Sequence, residues 1–100
     1  MTDQQSAPDA VVALDRAAHP VDAVQRAAYR FSDAFTVEVS DDGGTLNCRL
    51  FAREKWSPEW VHDFRAEVID QVLRTRIRAE TEQVRNLVLA VAFSRAGLGA

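Results

Sequence analysis

The sequence predicts a small α+β domain: a three-stranded sheet with at least one antiparallel hairpin, one helix after the first strand, and two C-terminal helices. Three observations predict it. Apolar and polar residues alternate on both sides of Asp41-Asp42-Gly43-Gly44, the period of half-buried strands around a tight turn. Apolar residues recur every three or four positions after Pro20 and again after Pro58, the period of amphipathic helices. The composition is 47% hydrophobic and 27% charged over 100 residues, which suits one ordinary core in one domain. That domain is expected over residues 10–96, after a disordered lead at 1–9 and before a flexible tail at 97–100.

Ala10 to Asp15 reads as a short strand. Val12 and Leu14 share one side at strand spacing, and the stretch ends at a turn around His19-Pro20. Pro20 suits a helix start, where its missing N–H has no partner to lose. Val21, Val24, Ala28 and Phe31 then recur at helical spacing, with Asp22, Gln25 and Arg26 on the other side, so a helix is expected from Val21 to about Asp33. Phe35, Val37 and Val39 alternate with Thr36, Glu38 and Ser40; Leu46, Cys48, Leu50 and Ala52 alternate with Asn47, Arg49, Phe51 and Arg53. The glycine-bearing corner between them makes a hairpin, with Phe35, Val37 and Val39 on the face of Leu46, Cys48 and Leu50. A register slip of two residues would keep that face, so the register stays open.

Ser57-Pro58-Glu59 has the form of a helix start: a capping hydroxyl, proline first, an acid in the first turn. Trp60 or Val61, Phe64, Val68 and Val72 form one stripe, and Ile69, Leu73 and Ile77 a second beside it. The polar run from Arg78 to Gln83 interrupts the pattern, and Thr81 can cap a second helix, after which Val84, Leu87, Val88, Val91 and Ala92 resume it until Gly97. Two consecutive helices are preferred over one bent helix, because a single one would exceed the usual length of about 8 to 20 residues.

Charge excludes a general nucleic-acid binder. Through Asp42 there are eight acidic and three basic residues, and from Gly43 onward seven and nine, far from a strong basic stripe. The N-terminus lacks the basic start and apolar run of a signal peptide, and Leu87 to Phe93 is too short to span a bilayer. A cytoplasmic protein without membrane contact is expected.

No catalytic or metal-binding constellation is present, and no cofactor is expected. Cys48 is the single cysteine, and His19 and His62 lie in different elements, so neither an intramolecular disulfide nor a His/Cys metal motif can form. The serines fall in no GxSxG or SxxK pattern. Glu67 and Asp70 share a helix face, but Arg74 one turn on neutralises Asp70. Arg74, Arg76, Arg78 and Arg85 make a basic cluster, read as a solvated helix face partnered by Asp70, Glu80 and Glu82, or as a contact for acidic groups. Trp56 and Trp60 suit either a core or a protein interface.

The run VIDQVLRTRIRAETEQVRNLVLAVAFS, from Val68 to Ser94, resembles the HxsD family, small accessory proteins of the His-Xaa-Ser system. Ala27 to Asp33 is similar to that family's first helix. Asp70, Leu73 and Arg74 retain part of its short signature, and Glu80-Thr81-Glu82, Val84 to Leu87 and Ala92-Phe93-Ser94 fit more closely. The resemblance implies a repeat-bearing His-Xaa-Ser peptide and radical-SAM-type maturases as partners. It implies a non-catalytic adaptor, binding the peptide, its maturases or both, with Asp70, Arg74, Arg78, Arg85, Asn86, Trp56 and Trp60 as candidate contacts. A homodimer is compatible with so much apolar helix surface. The alternative is a small DNA-binding regulator or antitoxin using the basic helix at 74–78; an enzyme acting alone has no residues to support it.

Overall fold

The computed structural model describes residues 7–95. The expected tail at 97–100 and the first six residues of the expected lead lie outside them. The element order is β1 (Ala10–Asp15), α1 (Val21–Arg30), β2 (Phe35–Asp41), β3 (Thr45–Ala52) and α2 (Glu59–Arg95). Asp9 already joins the fold ahead of β1: its N–H bonds the Leu50 carbonyl at 2.8 Å, and its carboxylate accepts from Ala52 N–H at 2.8 Å.

The sheet has the order β1-β3-β2, and both outer strands are antiparallel to β3. Register resolves what alternation leaves open: Val37 faces Leu50, Val39 faces Cys48, and Val12 and Leu14 face Cys48 and Leu46. Residues directly opposite share a face, so one face of the sheet is apolar except at Asp41, which lies opposite Leu46 at the hairpin end of β2. Gly43 turns the hairpin at φ +92°, a backbone state that costs glycine least, and its N–H is held by the Asp41 carboxylate at 2.9 Å.

Both helices cover the apolar face, α1 against β2 and α2 against β1. Helix α1 ends three residues before Asp33, because Phe31 and Ser32 form tight i→i+3 bonds to Ala28 and Tyr29. That turn aims the Phe31 ring onto Phe35, stacked at 5.0 Å, and edge-on to Phe64 at 6.4 Å. Phe35, Phe64, Leu46, Leu50, Val24 and Val68 are fully buried around this point. The opposite face of the sheet has no helix on it among the described residues and carries Val11, Arg49, Glu38 and the half-buried Phe51; Arg49 pairs with Glu38 at 3.5 Å and lies 5.5 Å over the Phe51 ring.

Instead of two C-terminal helices the chain forms one, 37 residues long. Arg78, Ala79, Glu80, Glu82 and Gln83 are all good helix formers, and neither glycine nor proline stands between Glu59 and Ala96. Polarity there changes what the helix faces, and the backbone continues. Phe64, Val68, Gln71 and Val72 bury against the domain, whereas every side chain from Arg76 to Ala92 is exposed. The helix therefore projects from the domain and gives the molecule extents of 67 × 26 × 24 Å.

Candidate interaction surfaces

The projecting part of α2 is the largest exposed apolar feature among the described residues. Leu73, Ile77, Val84, Leu87 and Val91 are 46 to 65% exposed. Taken with Glu80, they follow one another at steps of four, three, four, three and four, the spacing of a coiled-coil seam. At about 100° per residue, this seam runs roughly half a turn round the helix from Phe64. Helix α2 is thus two-sided, with one apolar face spent on the domain and another facing outward. The signal is in the sequence, but Glu80 occupies one of the six seam positions and makes the run look like a break.

The residues singled out from sequence fall on three different surfaces. Arg74, Arg78 and Arg85 form one exposed row, about a third of a turn from the seam. Asp70 borders it and accepts from Arg74 Nε at 2.6 Å. That hydrogen bond, then the carboxylate's charge, raises the guanidinium's pKa above its ordinary value. Asn86 lies about a quarter of a turn further round, and Arg76 falls near the far side of the seam. Trp56 and Trp60 sit elsewhere, at the start of α2: their rings cross edge-on at 5.3 Å, and both pack on Phe35, at 6.1 and 5.3 Å. Partly exposed, they close one end of the core.

A further surface follows from strand order. Arg53 N–H bonds Ala34 O and Asp42 N–H bonds Thr45 O, at 3.0 and 2.9 Å. Backbone groups in an antiparallel pair alternate between partner and outside, so Thr36, Glu38 and Ser40 bond β3 while Val37 and Val39 direct theirs off the edge. A trough of about 380 Å³ runs beside that edge, lined on the α1 side by Gln25, Ala28 and Tyr29 and on the β2 side by Val37 and Val39. Both valines point to the core face yet remain only partly buried.

The remaining chemistry-bearing side chains do not converge. Among the described residues no group of three or more His, Cys, Asp or Glu side chains can hold a metal. Cys48 is buried, and burial pushes its thiol pKa up to about 11. His19 Nδ1 lies 2.9 Å from the Asp15 carbonyl in a turn, and His62 is exposed on α2. No described helix is long and apolar enough to cross a membrane.

A family model described as His-Xaa-Ser system protein HxsD matches residues 14–99. No curated protein and no solved structure matches the chain.

Proposed function

The chain belongs to the HxsD family of His-Xaa-Ser system proteins, and from that premise we propose that it is a non-catalytic adaptor that docks on a helix of a maturase through the outward seam of α2. One observation supports this most: a sustained apolar seam on a helix that nothing among the described residues covers. An isolated helix of this kind is marginal in water and gains most of its stability from packing. Glu80 in the seam selects the partner. Two copies aligned in parallel would set Glu80 against Glu80, whereas a foreign helix with lysine or arginine at the facing position satisfies it.

The basic row at Arg74, Arg78 and Arg85 lies about a third of a turn from the seam and suits acidic groups beyond the rim of that contact. The DNA-binding alternative has less behind it, since Arg74 is held by Asp70 and Arg76 points away from the row. Co-purification with the system's maturases tests the proposal. The expected result is a stoichiometric complex that Val84→Asp with Leu87→Asp abolishes and Glu80→Lys weakens, with the domain still folded. A complex that survives the seam variant but is lost in Arg74→Glu with Arg85→Glu moves the contact to the basic row. Absence of any complex sinks the adaptor reading, and retention of DNA at low salt but not high salt would favour the alternative.

A further inference from the structure

We propose that the trough between α1 and β2 is a strand-addition site, taking an extended peptide segment of neutral or basic character with a small apolar side chain at every second position. The site lies apart from the α2 seam. It deepens the adaptor reading by giving the chain a second, chemically different contact, and it rests on that reading only for the choice of peptide.

Three features of the trough point to this occupant. Val37 and Val39 each turn one N–H and one C=O outward, and neither has a backbone partner on that side among the described residues. Such an edge is a template for another extended chain. The trough beside it is apolar on its floor, where Val37, Val39 and Ala28 line it. A strand laid along the edge sends alternate side chains toward that floor, and a space of about 380 Å³ takes small ones. Tyr29, 79% exposed at the rim, offers a ring to the same side chains.

Charge separates a foreign peptide from a second copy. Asp33 and Asp42 stand at the two ends of β2, exposed and without an ion-pair partner among the described residues. Pairing β2 with β2 of another copy would bring acidic ends onto an acidic edge, in a chain of net charge −3. A neutral or basic segment meets no such repulsion. The other open edge differs: β1 also turns Val11 and Ala13 outward, as the Arg16 N–H to Gly44 O bond of 3.1 Å requires. There, however, α2 already buries the apolar face at Val12 and Leu14, leaving no floor for added side chains.

Overlapping synthetic segments of the system's repeat-bearing peptide, added to the isotope-labelled full chain, test the site by amide hydrogen exchange. The expected result is one segment that slows exchange at Val37 and Val39. Its affinity should fall by about three- to tenfold, the equivalent of one lost hydrogen bond, in Val39→Pro, which removes an outward N–H where an edge strand tolerates proline. Gln25→Trp, which fills the trough from an exposed helix position, should weaken it comparably without threatening the fold. The proposal is overturned if no segment binds, if Val11 and Ala13 are protected instead, or if protection grows with protein concentration before peptide is added. Maturase capture reports on the seam separately. Capture without any peptide effect at Val37 and Val39 removes this site and leaves the adaptor standing; peptide binding without capture does the reverse.

Discussion

Arg30, the last residue of α1, reaches the Glu67 carboxylate of α2 at 3.2 Å, and the same carboxylate oxygen accepts a hydrogen bond from Gln71 Nε2 at 2.8 Å. This small network ties the two helices together where Gln71 is nearly buried, at 8% exposure. Its members are unequal. Arg30 is largely exposed, so its ion pair is screened by water, whereas Glu67 satisfies a side chain that has lost contact with solvent.

Glu67→Ala is therefore expected to destabilise the domain by about 1–3 kcal/mol, because it strands the Gln71 amide. Arg30→Met should cost less than about 1 kcal/mol. Urea unfolding midpoints of the two variants order them, and equal midpoints would show that the buried amide finds another partner.

Phe35→Ala should cost about 3–5 kcal/mol, a large share of the stability of a domain this size. Four aromatic rings lie within 6.2 Å of its ring centroid, Phe31, Trp56, Trp60 and Phe64. Tryptophan fluorescence should shift to the red as Trp56 and Trp60 gain water. Phe51→Ala, on the uncovered face of the sheet, should move neither reading by a comparable amount.

Glu82→Pro breaks α2 in its projecting part, where every side chain from Arg76 to Ala92 is exposed. Far-UV ellipticity should fall while the unfolding free energy of the domain stays within about 0.5 kcal/mol of the parent. A proline that lowered the midpoint substantially would mean that the projection is supported by the domain.

Cys48 couples stability to alkaline pH. Burial raises its folded-state pKa from 9.0 to about 11, so above pH 9 the folded chain holds a proton that the unfolded chain releases. Stability from this group is complete below pH 9 and declines as pH rises toward 11, by on the order of 2 to 3 kcal/mol in total. Cys48→Ala should flatten that decline in a series of urea titrations. In the parent, a thiol reagent near neutral pH should react only as fast as the domain opens.

Strands and turn were legible because a sheet with one covered face imposes period two: Val12, Leu14, Leu46, Cys48 and Leu50 are buried, as their spacing predicts. The family resemblance read from Val68 to Ser94 agrees with the match over 14–99. The expected division of the C-terminal helix does not occur, because residues 78–83 bury no face and a projecting helix needs none. Trp56 and Trp60 illustrate a different limit. Composition cannot distinguish a ring that awaits a partner from one that covers Phe35. The trough was beyond reach for a similar reason: which strands are edges depends on β3 lying between β1 and β2, and nothing local in the sequence specifies that order.

Helix α2 also acts as a ruler. From Thr75, the last partly covered side chain, to Ala92 it rises about 26 Å at 1.5 Å per residue. A flexible linker of equal contour would let anything bound at the far end wander back over the domain, so that many separations are sampled. A helix keeps one separation. An extended segment needs roughly eight residues to run the length of that projection. The length of α2 would then fix which part of a bound chain arrives at the far end, and insertion or removal of whole helical turns would shift that position in steps of about 5.4 Å.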